Sequence, residues 1–136
     1  MERMKDTVHT SGKRKHAIAR ATLKPGNGTI RINSRKLEVY NPLIARAKIM
    51  EALQLAGDIA KKVNIDVNVF GGGWQAQSEA SRLAIAKSLV AFTKSKELKK
   101  TYLSYDKHLL VADVRRNEPH KPNDSKPRAA RQKSYR

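Results

Sequence analysis

The stretch from Val63 to Phe70 constrains the fold more than any other part of the chain. Its sequence, VNIDVNVF, places branched apolar residues at alternate positions with polar residues between them. This period of two predicts a β-strand with one buried face and one polar face. Because the polar face needs no covering layer, we expect a sheet that helices cover on one side.

Three segments have the apolar spacing of helices that would form this covering layer. The first runs from Leu43 to Lys62, and Asn41-Pro42 before it supplies a capping side chain and a proline suited to the first helical position. Gly57 marks a point where this helix would end early or kink. The second runs from Trp74 to about Lys94, and a shorter third runs from Ser95 to Tyr105.

Two further strands are predicted before the first helix. His16 to Leu23 alternates apolar and other residues, and Thr29 to Asn33 resumes the alternation with its two isoleucines inward. The turn residues from Lys24 to Gly28 between them predict a β-hairpin with a five-residue connection. Together with the later elements, this order predicts an α/β (α+β) two-layer sandwich.

The last 22 residues, 115–136, differ in composition from the rest of the chain. Eight are Lys or Arg, two are acidic, three are proline, and Tyr135 is the one large apolar side chain. Such a segment buries too little apolar surface to offset the entropy of ordering it. We expect an extended arm that becomes ordered against a polyanion; a tail that only maintains solubility is the alternative. The predicted organisation is a flexible N-terminus (1–10), a globular domain (11–114) and a basic tail (115–136).

The overall charge indicates the class of partner. The net charge is +17 and the pI is about 10.5, which is typical of a nucleic-acid-binding protein. The absence of cysteine excludes disulfides and thiolate metal sites. No apolar run reaches the length of a membrane span and no apolar signal region follows the start, so we expect an intracellular protein. The basic ends lack the apolar face of an interfacial helix, so we expect no membrane partner. The four histidines lack ligand spacing, and no nucleophile motif is present, so we expect no enzyme activity, metal or cofactor.

The glycine triplet Gly71, Gly72 and Gly73 allows three interpretations. Together with Ala76 it fits the dinucleotide-binding fingerprint, which lies between a strand and a helix. That fingerprint expects an acidic residue at the end of a second strand, whereas Glu97 lies among lysines in helical sequence. A structural role is therefore favoured over a dinucleotide site, and contact of the backbone amides with an RNA phosphate is the third possibility.

Three consecutive cations, Lys13, Arg14 and Lys15, follow Gly12. They are too close in sequence to share one strand face or to be buried, so we expect them to contact phosphates. Each neutralised phosphate releases counterions, which makes the affinity depend on salt. The arginines of the tail can bind phosphates through two hydrogen bonds or stack on bases. An extended arm of this kind suits the crevices of a folded RNA better than a regular duplex.

In combination, these features resemble the small-subunit ribosomal protein S-nine family over nearly the whole chain from about Thr10. The residues that carry the resemblance are Gly12–Lys15 with Ala17, Ala19 and Arg20; Lys24–Gly28 with Ile30 and Asn33; Gly71–Gly73; Arg82 with Ile85 and Ala86; Arg115 and Arg116; and Gln132–Arg136. The Lys-Ser-Tyr-Arg ending resembles that of archaeal or eukaryotic members more than that of bacterial ones, and the short N-terminus favours an archaeal member. The chain departs from the family at His120 to Lys126, where members often carry a lysine-rich stretch with glycine.

The resemblance implies a fold of the ribosomal-protein-S-five domain-two type with a left-handed crossover. It also implies a structural role in the head of the cytoplasmic small ribosomal subunit, beside neighbouring head proteins and without homo-oligomers. The residues then expected to bind ribosomal RNA are Lys13, Arg14, Lys15, Gly71, Gly72, Gly73, Arg115, Arg116, Arg128, Arg131 and Lys133. Tyr135 and Arg136 are expected to contact the peptidyl-site transfer RNA.

Two other functions fit part of the sequence. A free basic chromatin or RNA-chaperone protein fits the composition and the tail, but not the ordered match to one family. A nucleotide-using enzyme would require the glycine triplet to bind a dinucleotide, which the position of Glu97 disfavours.

Overall fold

The computed structural model describes residues 7–122 and Pro127. Within this part of the chain, five strands form one sheet: β1 (Val8–Arg14), β2 (Ala17–Pro25), β3 (Ile30–Ile32), β4 (Arg35–Lys36) and β5 (Val63–Phe70). The α-helices are α1 (Leu43–Ala56), α2 (Trp74–Thr93) and α3 (Lys96–Tyr105). Short 3₁₀ segments occur at Leu37–Val39, Gly57–Lys62 and Lys107–Leu109. The mixed α/β fold predicted from the sequence is thus confirmed.

The strand order is β1-β2-β5-β3-β4. β2 pairs antiparallel with both β1 and β5, whereas β3 pairs parallel with β5 and antiparallel with β4. The predicted hairpin between β2 and β3 is therefore wrong, because β5 lies between these strands. β5 pairs with nearly the whole length of β2, whereas β3 is only three residues long and could pair with only part of it. The Asn64 Oδ1 atom also accepts hydrogen bonds from the amides of Asn27 and Thr29, which attach the turn to the start of β5.

The first strand begins at Val8, so the prediction of a loose N-terminus is wrong for residues 8–10. Polar residues form a strand here because the inward positions contact α2. The Thr10 hydroxyl donates to the carbonyl oxygen of Ala84 at 2.8 Å. At Gly12, an added Cβ would lie 2.3 Å from the carbonyl oxygen of Ala80. The missing side chain therefore allows β1 to approach the helix backbone closely.

The core lies between one face of the sheet and the helices. The inward residues of β2 and β5 are buried, and the outward residues are half-buried or exposed. Buried small residues on α2, including Ala80, Ala84 and Ser88, let that helix lie close to the sheet. This burial pattern leaves the opposite face of the sheet uncovered, as the alternation in β5 predicts.

The first helix ends at Ala56, where Gly57 adopts a φ of 63°. The sequence indicated this early end, because glycine tolerates positive φ. The predicted cap by Asn41 is wrong: Pro42 occupies the N-cap position, and no side chain there accepts a hydrogen bond.

The third helix begins after Ser95, whose hydroxyl accepts from the Leu98 amide. Its Tyr102 side chain is fully buried, and the hydroxyl donates to the carbonyl oxygen of Ala52 at 2.7 Å. This hydrogen bond joins α3 to α1. The segment after α3 is held by Leu109, which is also fully buried.

Candidate RNA interface

The β1–β2 turn and the glycine triplet lie at the same end of the sheet. Lys15 adopts a φ of 53° in the turn, and Phe70 at the end of β5 pairs with Ile18 of β2. Gly71 has a φ of 80°, and an added Cβ there would lie 2.4 Å from the carbonyl oxygen of His16. Both the backbone conformation and this contact require glycine, which supports the structural interpretation of the triplet.

Arg14 lies at the centre of a charged cluster at this end. Its Nε donates to the Glu79 Oε2 atom at 2.7 Å, and its Nη1 lies 2.7 Å from the Asp113 Oδ2 atom. Only 14% of the Arg14 side chain is exposed. The prediction that the three consecutive cations are too close to be buried is therefore wrong for Arg14. Two carboxylates from elsewhere in the chain compensate its charge, so the guanidinium can leave water.

Glu79 joins three elements through its two carboxylate oxygens. Lys48 of α1 donates to Oε1 at 3.1 Å, while Arg14 of β1 donates to Oε2. Burial opposes ionisation of Glu79, but the hydrogen bonds and charges of Lys48 and Arg14 outweigh it. The pKa of Glu79 therefore lies below its ordinary value. At neutral pH the carboxylate thus ties β1 and α1 to α2.

Asp113 connects this cluster to the beginning of the C-terminal segment. The backbone amide of Arg115 donates to Asp113 Oδ1 at 3.0 Å, and the guanidinium donates to both carboxylate oxygens. The side-chain and backbone hydrogen bonds from Arg115 hold the pKa of Asp113 well below its usual range. The Arg115 side chain nevertheless remains 76% exposed. Its guanidinium can therefore still approach a phosphate.

The structure brings five predicted RNA-binding residues to this end, and we call them the basic end: Lys13, Arg14, Lys15, Arg115 and Arg116. A depression of about 230 Å³ is lined by Arg14, Lys15, Arg115, Arg116 and Asn117. Lys13 lines an adjacent depression together with Arg14 and Arg115. All of these cations except Arg14 are exposed. This arrangement suits a phosphate-bearing polyanion, since several cations converge where solvent has access.

Five predicted site residues lie outside the described residues, namely Arg128, Arg131, Lys133, Tyr135 and Arg136. Residues 123–126, which belong to the segment that differs from the family pattern, also lie outside them. Residues 115–121 contain neither helix nor strand. Among residues 7–122 and Pro127, no group of His, Cys, Asp or Glu is arranged to hold a metal ion. In the same part of the chain, no helix is both long and apolar enough to cross a membrane.

Sequence reasoning missed two sets of residues. It gave no reason to connect Arg14 with Glu79 and Asp113, because only the tertiary fold places these carboxylates beside it. It also did not single out the cations on the uncovered face of the sheet, such as Arg20 and Arg31. Each is one polar residue in an alternating strand, and only the strand order places them on one surface.

A mixed α/β domain whose cations converge where a basic C-terminal segment begins is typical of proteins that bind polyanions. The sequence profile of the family described as ribosomal protein S9/S16 matches residues 12–136. The proteins named small ribosomal subunit protein uS9 from Methanococcus maripaludis strain C7 and from Methanococcus vannielii are each 53% identical to the chain over 131 residues. These alignments cover 95% of the chain and 98% of each relative. The chain therefore belongs to the ribosomal protein S9/S16 family.

Family membership supports a structural role in the ribosome and agrees with the expectation that the chain is not an enzyme. The resemblance identified from the sequence is confirmed, including its archaeal type, since these relatives are Methanococcus proteins.

Proposed function

We propose that the chain is a structural protein of the small ribosomal subunit that binds ribosomal RNA through its basic end and extends its C-terminal segment to the peptidyl-site transfer RNA. The observation that carries this proposal is the convergence of exposed cations where the C-terminal segment leaves the domain. The two Methanococcus relatives are small ribosomal subunit proteins, which supports placement in the small subunit.

The residues of the basic end have two different roles in this proposal. Lys13, Lys15, Arg115 and Arg116 are exposed and would contact phosphates directly. Arg14 is committed to Glu79 and Asp113 and would act as a positioning residue. Through Asp113, it holds the beginning of the C-terminal segment against the domain, so that Arg115 and Arg116 lie beside Lys15.

The glycine triplet would contribute backbone amides to the same interface. Gly71 and Gly72 lie against the β1–β2 turn, and Gly73 is the N-cap residue of α2. An α-helix N-terminus favours an anion because its first amides lack partners within the helix. Because Gly71 lies against His16, which follows Lys15 in the chain, a phosphate held by Lys15 would lie near the triplet.

The C-terminal segment would act as an arm, as its composition predicts. Arg128, Arg131 and Lys133 would bind ribosomal RNA, and Tyr135 and Arg136 would reach the peptidyl-site transfer RNA. Arg136 would use its guanidinium, because its own carboxylate repels phosphate. Residues 11–114 would form the globular body and residues 115–136 the arm. The parallel pairing of β3 with β5, with α1 in the connection, is compatible with the crossover of the ribosomal-protein-S-five domain-two type.

Sedimentation tests the placement in the particle. We expect this protein to act in the cytoplasm. The cytoplasmic fraction of a cell lysate would be washed with high salt and run through a sucrose gradient. We expect the full chain to migrate in stoichiometric amount with the small subunit, among the neighbouring head proteins. Release to the top of the gradient would contradict the proposal and favour a free basic RNA- or DNA-binding protein, which the comparisons do not support.

A truncation tests the arm separately from assembly. Deleting Ser134–Arg136 leaves the described domain intact, so we expect normal incorporation into the small subunit but weaker holding of peptidyl-site transfer RNA. Normal transfer-RNA affinity and decoding fidelity in the truncated particle would contradict the role assigned to the arm.

A further inference from the structure

The uncovered side of the sheet carries a second group of polar and basic side chains. We call the outward-pointing residues of β2, β3 and β5 the open face. Cross-strand pairing aligns Ile18 with Phe70, and Arg20 with Asn68. Arg31 of β3 is aligned with Asp66 of β5, which is itself paired with Thr22. The parallel pairing of β3 with β5 thus brings residues from distant parts of the chain onto one surface.

An exposed aromatic ring is the first feature of the open face that points to a ligand. Phe70 is 50% exposed at the end of β5. The Arg20 guanidinium carbon lies 5.5 Å from the centroid of this ring, within the range of a cation–π contact. The guanidinium lies over one side of the ring, so a nucleobase can stack on the exposed part of the ring or on the outer face of the guanidinium, because both groups are planar and every base has a π-face.

The charge of the open face is the second feature. Its outward positions include Arg20, Lys24 and Arg31 but a single carboxylate, Asp66, among the described residues of these strands. A polyanionic ligand therefore matches this surface better than a neutral one. None of these three cations is a member of the basic end, although Lys13 of the basic end pairs with Ile18, which in turn pairs with Phe70.

A shallow depression lined in part by Arg20 supplies hydrogen-bonding groups. It has a volume of about 440 Å³, and its polar lining includes His9, Ser11, Arg20, Thr22 and Asn68. The His9 Nδ1 atom lies 3.2 Å from the Thr22 hydroxyl. Asn68 is exposed and its amide offers both donors and an acceptor, which suits the edge of an unpaired base.

We propose that the open face binds an unpaired segment of RNA, with a base stacked on Phe70 and flanking phosphates on Arg20, Lys24 and Arg31. A regular RNA duplex would not use the ring, since its bases are stacked on one another and paired. A protein partner would need an acidic surface to match the three cations. The identity of the RNA as ribosomal rests on the proposed function, but the binding mode rests on the open face alone.

Binding to a defined single strand tests this proposal directly. The probes are a twelve-nucleotide oligouridylate and an RNA duplex of the same length, each titrated with the full chain. We expect Phe70→Ala to weaken single-strand binding about fivefold or more, because stacking on an aromatic side chain has that effect. Phe70→Tyr should retain affinity, since it keeps the ring. Duplex affinity should be the same for all these variants.

Matched controls separate stacking from general effects. Tyr105→Ala removes an aromatic side chain of similar exposure from α3, and we expect no change in single-strand affinity. Arg31→Gln should reduce the slope of log affinity against log salt by about 0.7 for a single strand, since one phosphate contact is lost. Thermal unfolding of each variant checks that the domain remains folded.

Three outcomes would overturn the proposal. The first is unchanged single-strand affinity in a folded Phe70→Ala variant, and the second is an equal loss of duplex affinity. The third is a photoreactive residue at position 70 that couples to a protein, not to RNA, in assembled subunits. If Lys15→Gln weakens ribosomal RNA binding while Phe70→Ala does not, the proposed function stands and the inference about the open face fails. If the wild-type chain binds no RNA, both fail.

Discussion

Replacing Arg14 with glutamine distinguishes a positioning residue from a phosphate contact. The substitution removes the charge from a side chain that bridges Glu79 and Asp113. Breaking a buried ion pair costs about 3–5 kcal/mol when the surviving charge is left without a partner. Here Glu79 keeps Lys48 and Asp113 keeps Arg115. We therefore expect a smaller loss of about 1.5–3 kcal/mol, as for hydrogen bonds to charged groups.

Two measurements on the same proteins test this expectation. Urea titration gives the free energy of unfolding, and binding to small-subunit ribosomal RNA at several salt concentrations gives the number of phosphates neutralised. Arg14→Gln should lower the free energy of unfolding and reduce the salt slope less than Lys15→Gln does, because Asp113 still holds Arg115. Lys15→Gln is the matched control, because Lys15 is exposed next to Arg14 in sequence. It should reduce the slope by about 0.7–0.9 and change stability by less than about 0.5 kcal/mol.

The opposite pattern would refute this reasoning. If Arg14→Gln reduced the salt slope by as much as Lys15→Gln while leaving stability unchanged, the guanidinium would contact RNA and not the two carboxylates. The interpretation of Arg14 as the residue that holds the start of the C-terminal segment would then be abandoned.

Three further substitutions test the packing and the charged groups. Gly12→Ala should lower the free energy of unfolding by about 1–3 kcal/mol in a urea titration, because the Cβ of the new alanine would lie 2.3 Å from the Ala80 carbonyl oxygen. The control Ser11→Ala, on the outer face of the same strand, should have little effect. Tyr102→Phe should cost about 1 kcal/mol at pH 7 through loss of the hydrogen bond to Ala52. Burial raises the pKa of Tyr102, so the wild type should lose stability as the pH rises above about 10, where the unfolded tyrosine ionises, and the variant should lose less. Glu79→Gln should be less stable than the wild type at pH 7, and this difference in the free energy of unfolding should shrink as the pH falls below about 4.3. The reason is that the lowered pKa of Glu79 stabilises the fold only while the carboxyl group of the unfolded chain is ionised. A constant difference between pH 6 and pH 3 would contradict this.

The elements with strong local signals were predictable from sequence. β5 was identified over its full length, because four branched apolar residues alternate with polar ones. α2 was placed within one residue, since the glycine triplet precedes it and its sequence contains no helix breaker. Gly57 correctly indicated the early end of α1.

Strand pairing was not predictable in the same way. The turn between β2 and β3 has all the residues of a hairpin, yet β5 lies between the two strands. Two consecutive segments with alternating patterns can pair directly with each other or have a third strand between them, and nonlocal packing decides which pairing forms. The strand at Val8–Arg14 was missed for a related reason, since its inward positions carry few large apolar side chains and contact α2 through Thr10 and Gly12.

The candidate site was predictable in its residue types but not in its geometry. The density of positive charge along the sequence indicates Lys13, Lys15, Arg115 and Arg116 as phosphate-binding residues. Only the fold shows that Lys15 lies beside Arg115 and Arg116, and that Lys13 lines a depression together with Arg115. The burial of Arg14 depends on Asp113, which lies too far along the chain for spacing to reveal the contact.

Tethered cleavage of ribosomal RNA tests the central claim most directly, namely that the basic end faces RNA. The chain contains no cysteine, so Lys15→Cys and Lys99→Cys each provide a single attachment point for an iron chelate that generates hydroxyl radicals. Lys15 lies in the basic end, whereas Lys99 is exposed on α3. In assembled small subunits, we predict strong cleavage of ribosomal RNA from position 15 and weaker cleavage from position 99. Stronger cleavage from position 99 than from position 15 would contradict the account.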